Sequence, residues 1–220
     1  MVGNKFRWNA YDSDNLVCAF DMSTRTPGGL MKNLAKTGSA FDATINGTLT
    51  LANPLIKCKT RKCMDFDGVN NYLSLANPIS GLLSYTTIFW INFDTLGRMI
   101  YSRATGNNSY IYTTNAGIAI ACGGGATTSP PPYRVQVVNR TYMVAISWGL
   151  TLPTRIVYIN GQQDFINLSG ANPVDANCFI GQYWDGTLRM DGRLDNIQFW
   201  NIALTPDQIQ SIRRSANPRL

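Results

Sequence analysis

The sequence predicts an all-β protein, a two-sheet antiparallel sandwich that ends in one short C-terminal helix. Three observations carry this. Charged residues make up only 15% of the 220 residues, whereas Gly, Asn, Thr and aromatics are plentiful, which is the profile of a turn-rich β protein and fits neither a coiled coil nor a disordered chain. In Asp195-Asn-Ile-Gln-Phe-Trp200, Asp195, Ile197 and Phe199 alternate with Asn196, Gln198 and Trp200, the period-2 pattern of a strand with one buried face. Next comes a helix start: Thr205 as N-cap, Pro206 at the first helical position, Gln208 closing a capping box, Leu204 and Ile209 at the staple positions. Arg213 and Arg214 suit the negative end of that helix. The length allows one large sandwich, so residues 1–220 read as a single domain with a core over about 16–212 and short arms.

In chain order, Leu16–Phe20 is an apolar strand and Asp21 opens a turn. Asn33 to Thr44 reads as loop. Cys63–Leu75 reads as a hairpin: Phe66 ends one strand, Asp67-Gly68 turns, and Tyr72, Leu73 and Leu75 resume the sheet. Tyr85–Phe93 alternates well, and Trp90 is assigned to the core. Met99–Ser102, Tyr110–Thr113, Ile118–Cys122 and Arg140–Trp148 are further strands. Gly123–Pro132 is rich in breakers and reads as loop. Arg155–Gly161 is a strand running into an Asn-Gly turn, the strongest short hairpin signal. Phe179–Trp200 reads as two strands joined by a Gly-punctuated connection.

Several of these stretches resemble laminin-G-like, concanavalin-like jelly-roll domains. Ile180-Gly181, Asp191-Gly-Arg-Leu-Asp-Asn-Ile-Gln-Phe-Trp-Asn201, Ala203-Leu204 and Thr205–Ile209 are similar to that family's closing motif. Phe66-Asp-Gly-Val-Asn-Asn-Tyr72 resembles its Phe-Asp-Gly-x-Asp-Asp-Tyr turn, with Asn70 and Asn71 standing where Asp is usual. Tyr85–Phe93, Arg140–Trp148 (without the family's His) and Arg155–Gly161 follow in the family's order, as do Leu16-Val17, Phe20–Ser23 and Ile45–Thr48 before them. The resemblance implies a jelly roll over nearly the whole chain.

Two absences narrow the chemistry. The chain has no His, and all thirteen of its acidic residues are Asp. Ser-His-Asp and Cys-His catalysis and His-ligated zinc are excluded within this chain. A glycanase would have to work with Asp alone, and no close Asp-x-Asp site has a second carboxylate placed convincingly opposite it. The expectation is a non-enzymatic protein. No apolar run reaches the ~20 residues of a membrane span, and Met1–Asn9, with Lys5 and Arg7, does not read as a secretory signal. The cations cluster: Lys57, Lys59, Arg61 and Lys62 fall within six residues, a basic patch that reads first as solvated loop, without the interleaved aromatics of a nucleic-acid site. Cys18 and Cys178 read as buried thiols, and Cys58 and Cys63 bracket the basic patch at a spacing that a small disulfide would fit.

Candidate ligand residues fall in two sets. The resemblance implies a structural Ca²⁺ at the sandwich rim, for which Asp67 and Asp195 stand at the best-matched motifs; the competing use of these carboxylates is to hold turns and strand ends. Tyr183, Trp184 and Asp185 lie in a loop, and Tyr110, Tyr112 and Tyr133 flank Asn- or Gly-rich segments. Such aromatics serve a glycan platform, a subunit interface or simple packing. Asn46, Asn107, Asn139 and Asn167 open N-x-Ser/Thr triplets, which chance explains in so Asn- and Thr-rich a chain. The expected role is a surface binding or assembly module: a component of a virus or phage particle (spike, fibre tip or capsid decoration), or alternatively a secreted or cell-surface lectin-like adhesin. Its expected partners are other particle or surface proteins and host glycans, in a homo-oligomer or larger assembly at the virion surface or outside the cell.

Overall fold

Strands form where β-branched and aromatic residues gather between Gly, Asn and Pro turns. In chain order the computed structural model contains β1 (Leu16–Phe20), β2 (Leu30–Met31), β3 (Ala43–Asn46), β4 (Thr50–Ala52), β5 (Cys63–Asp67), β6 (Tyr72–Ala76), β7 (Tyr85–Phe93), β8 (Met99–Arg103), β9 (Ser109–Thr114), β10 (Gly117–Cys122), β11 (Gly125–Thr128), β12 (Thr141–Gly149), β13 (Thr154–Ile159), β14 (Gln162–Asn167), β15 (Asn177–Ile180), β16 (Asp191–Trp200) and α1 (Pro206–Ala216), with a 3-10 turn at Gly38–Phe41. It describes residues 13–20, 25–52, 63–103, 109–114, 117–122, 125–128, 138–149, 154–167 and 176–216.

These strands assort into two antiparallel sheets. The first runs β14-β13-β12-β7-β16-β5-β4, and the second β11-β10-β9-β8-β15-β6-β3-β2. Long β16 organises the first. One edge lies along β7; the other is shared, β5 taking Asp191–Leu194 and β1 taking Ile197–Trp200. Between the sheets lies the main core, with Phe20, Phe66, Phe89, Leu194, Ile197 and Phe199 from one side meeting Leu73, Ile100, Tyr101 and Ile180 from the other. Phe89 and Phe199 pack edge to face at 5.9 Å.

The first sheet is covered on both faces. On its outer side Ile88, Trp90, Met143, Ala145, Tyr158 and Trp200 lie beneath Leu204 and the helical residues Ile209 and Ile212. All nine residues of β7 are therefore buried, and β16 is buried on both faces from Leu194 to Trp200, contrary to the one-face expectation for Asp195–Trp200. Strict alternation is also broken there. The register slips between Asp195 and Gln198, and Asn196 takes φ 47°, a left-handed conformation Asn tolerates. This bulge puts Leu194, Ile197 and Phe199 on the inner face together, although they are unevenly spaced.

Other expectations are corrected by pairing. Cys63–Leu75 is no hairpin, because β5 belongs to the first sheet and β6 to the second. Residues 68–71 form an arch between sheets, and Gly68 donates its N–H to Met190 O at 2.8 Å across it. The stretch read as loop from Asn33 to Thr44 ends inside β3, which pairs with β6. Within the breaker-rich Gly123–Pro132, residues 125–128 form β11, an edge strand against β10. Gly permits extended backbone and an edge strand needs only one partner.

The helix start is as expected. Gln208 N–H donates to Thr205 Oγ1 at 3.3 Å and Thr205 N–H donates to Gln208 Oε1 at 2.8 Å, a complete capping box. Asn160 and Gly161 take φ 52° and 75°, the conformation of a two-residue hairpin turn, and Gln210 Nε2 donates to Gly161 O at 2.7 Å, tying α1 to that turn. Cys18 and Cys178 are buried thiols, as expected; Cys58 lies outside the described residues.

Two substitutions test this frame. Gly192 has φ 136°, and a Cβ there would meet Asn92 O and, at 2.9 Å, Phe93 Cα, both backbone atoms on the neighbouring strand. Gly192→Ala should destabilise by about 3 kcal/mol, since backbone cannot swing aside as a side chain can. Thr205→Ala should cost about 1 kcal/mol through the lost cap. Urea midpoints at constant m-value measure both.

Candidate functional site

The segment from Gly181 to Met190 carries β15 of the second sheet over to β16 of the first. Its backbone is closed on itself and on β8. Gly181 N–H donates to Ile100 O at 2.9 Å, Met190 N–H to Gly181 O at 2.8 Å, and Met99 N–H to Leu188 O at 2.8 Å. Tyr183 N–H donates to Thr187 O at 3.0 Å and Gly186 N–H to Tyr183 O at 2.9 Å, forming a tight turn around Trp184 and Asp185. Asp185 Oδ1 accepts from Thr187 Oγ1 at 2.6 Å and from Thr187 N–H at 2.9 Å. The Thr187 hydroxyl and then its amide hold the Asp185 carboxyl below the usual range. Asp185 thus builds the turn.

Trp184 stands out from it. Its side chain is 41% exposed, in a protein whose other described Trp residues are buried. Half-buried Tyr183 meets it edge to face at 5.9 Å. Ser102 Oγ donates to Gln182 O at 2.8 Å, which seats the loop on the outer face of the second sheet. On that face Tyr72 and Phe179 pack edge to face at 5.9 Å, and the Arg189 guanidinium lies 5.6 Å over the Tyr72 ring. Arg189 Nε also donates to Gly186 O at 2.9 Å. Thr44, Ala76 and Asn177 remain exposed on the same face. The sheet face thus carries Tyr72 and Phe179, and the loop that meets it through Arg189 carries Tyr183 and Trp184.

The expected site residues are placed unevenly. Tyr183, Trp184 and Asp185 share the loop. Tyr110 pairs with Ser102 in register, as does Phe179, so Tyr110 sits two strands, about 10 Å, from Phe179. Tyr112 is half-buried and pairs with Met99. Tyr133 and the patch of Lys57, Lys59, Arg61 and Lys62 lie outside the described residues. Arg189, Tyr72 and Phe179 were not anticipated. Arg189 stands between two Gly of the best-marked stretch, a signal that an unpaired cation lies among turn residues.

Asp67 and Asp195 are not brought together. Asp67 opposes Asp191, whereas Asp195 lies four residues, about 13 Å, further along β16, opposite Trp90. Asp67 Oδ1 accepts from the amides of Val69 (2.9 Å), Asn70 (3.0 Å) and Asn71 (3.3 Å), and so pins the arch. Asp195 is 1% exposed; it lies beside Cys63, whose thiol is pushed up to about 12 by burial first and by the Asp195 charge next. Among the described residues no three acid or Cys side chains converge as metal ligands. Ca²⁺ takes six to eight oxygens; in this structure Asp67 Oδ1 is engaged by three amides and Asp195 is enclosed beside Cys63.

Known proteins place this geometry in context. Residues 67–210 match the family described as the concanavalin A-like lectin/glucanases superfamily. No curated protein matches the chain in sequence. Among solved structures, domain 4 of an extracellular arabinanase from Geobacillus stearothermophilus, in complex with arabinotriose, is 17% identical with a TM-score of 0.71, covering 90% of this chain and 98% of that one. The binding domain of Paraclostridial Mosquitocidal Protein 1 is 16% identical, TM-score 0.66, covering 92% of this chain and 52% of that one. The receptor-binding domain of botulinum neurotoxin C/D mosaic serotype is 9% identical, TM-score 0.67, covering 91% and 51%. The chain therefore spans about half the length of these two toxin domains. At such identities the likeness is one of fold.

The arch supplies a pH test. Burial raises the Asp67 carboxyl, but the amides of Val69, Asn70 and Asn71 outweigh it and the net shift is downward. A carboxyl lowered on folding stabilises above its unfolded value, near pH 4, and loses that contribution as the pH falls through its folded value. The stability difference between wild type and Asp67→Asn should therefore be full at pH 6 and shrink below about pH 4, read from urea unfolding across that range.

Proposed function

The chain belongs to the concanavalin A-like lectin/glucanases superfamily, and from that membership we propose that it is a non-enzymatic carbohydrate-recognition module displayed on a surface. The observation that carries the reading is Trp184. A large apolar ring is held out in solvent by a hydrogen-bonded turn, beside Tyr183, on a loop whose Arg189 reaches Tyr72 on the outer sheet face. Sugar rings offer flat C–H faces to such aromatics and hydroxyls to the surrounding Asn and Ser side chains. The arabinanase domain, whose likeness spans nearly the whole of both chains, was solved with arabinotriose bound.

The disposition of Asp supports binding without turnover. Asp67 and Asp191 oppose each other on neighbouring strands, the arrangement nearest to a pair of working carboxylates. Asp67 is committed to three backbone amides, and Asp191 accepts from the Thr95 hydroxyl and, through its backbone oxygen, from the amide of Asp94 at 3.1 Å. Both hold turns. The surface in question is that of a virus or phage particle, or alternatively of a cell as a secreted adhesin. Exposed Trp and Tyr are also common anchors of subunit contacts, and Tyr183 stands beside Trp184 on the same loop.

Two measurements test this. Trp184→Ala should weaken oligosaccharide binding by at least about tenfold, equivalent to ~1.4 kcal/mol, with the melting midpoint unchanged. A glycan array without hits for the wild type would remove the reading. Native mass by light scattering on protein from its natural source separates the settings: a trimer, pentamer or particle-sized species supports an assembled particle component, and a monomer supports the adhesin.

A further inference from the structure

Arg189 is held as an anion receptor is held. Its guanidinium is fixed on one side by the Tyr72 ring at 5.6 Å and on another by the Nε bond to Gly186 O at 2.9 Å. Neither Nη group has a partner among the described residues, and no described carboxylate pairs with it. The one acid of the loop, Asp185, is drawn back onto Thr187 through Oδ1. A second cation lies close by. Arg98 precedes Met99, whose amide bonds Leu188 O next to Arg189, and the buried Nε of Arg98 is likewise without a hydrogen bond. Gln182, 4% exposed, leaves its Oε1 unsatisfied at the start of the loop. Among the described residues neither guanidinium is paired with a carboxylate, and Arg189 stands on the loop that also presents Tyr183 and Trp184.

A guanidinium immobilised by stacking, with its two Nη donors free, matches a planar carboxylate in bidentate fashion, and the ordering cost is already met by the fold. We propose that the site selects carboxylated sugars, of the uronic or sialic acid type, with Arg189 gripping the carboxylate and Trp184 covering the ring. This rests on the carbohydrate-binding reading above and gives it a substrate class.

The test is isothermal titration of the full chain at low salt with four probes: trigalacturonic acid and its methyl ester, 3′-sialyllactose and lactose. Wild type should bind at least one acid about tenfold or more tightly than its neutral counterpart, and added salt should erode the preference. Arg189→Gln should abolish the preference while leaving binding of the neutral probe in place, and Arg189→Lys should restore only part of it. Equal affinity for an acid and its neutral counterpart in both pairs would overturn the inference, and that comparison needs no variant. So would a preference that survives Arg189→Gln. In either case binding that still depends on Trp184 leaves the carbohydrate reading standing. Failure of all four probes to bind the wild type would overturn the inference, and with an empty glycan array it would overturn both.

Discussion

The sandwich depends on a strand that is buried on both faces and yet carries polar side chains. β16 places Asp195, Asn196 and Gln198 where no water reaches, and an unsatisfied amide at such depth costs about 1–3 kcal/mol. For Gln198 and the Asn196 oxygen the cost is offset within the strand. Trp200 Nε1 donates to Gln198 Oε1 at 3.1 Å, and Gln198 Nε2 donates to Asn196 Oδ1 at 2.9 Å. The chain of bonds runs along the outer side of β16 to the Trp200 ring that lies under the helix. Each link depends on the local backbone of β16, so the polar groups favour the same bulged strand conformation that brings Leu194, Ile197 and Phe199 to the core. The helix then has a single place to dock.

Much of this was legible because several kinds of signal agreed. The capping box, the Asn-Gly turn and the long alternating runs are local chemistry, and local chemistry is written in adjacent residues. The bulge at Asn196 shows where such reading stops. From Asp195 to Trp200 the alternation looks faultless, but Leu194, Ile197 and Phe199 all belong to the core. Between Leu194 and Phe199 the count is odd, and only an extra residue reconciles them. The signal was therefore present, one residue upstream of the pattern that hid it.

Sheet membership was less accessible. An Asp-Gly turn between apolar runs has the same local requirements whether the chain doubles back in one sheet or arches to the other: a positive φ, here 71° at Gly68, and an acceptor for the turn amides, here Asp67. What decides is remote. Gly68 packs against Asp191, and its amide meets Met190 O on a segment far along the chain. The short strands β2, β3 and β4 escaped for a related reason, since two to four residues show too little alternation to register. The site divides in the same way. Trp184 was visible as an aromatic among turn residues, whereas the contact of the loop's Arg189 with Tyr72 exists only once β6 and the loop are side by side.

That contact follows from the unequal covering of the two sheets. On the outer face of the first, α1 and Leu204 cover the apolar layer around Trp90 and Trp200, which is closed to a ligand. The second keeps Thr44, Ala76 and Asn177 exposed, and its outer aromatics, Tyr72 and Phe179, satisfy one another edge to face. A connection from β15 to β16 must leave the second sheet and reach the first, so it passes the rim of the open face. Held there by bonds to Ile100, Met99 and Ser102, it presents Trp184 with little freedom left to lose. A ring that is already immobile gives up little entropy on binding. In this molecule the covered sheet supplies the rigidity, and the open one supplies the surface.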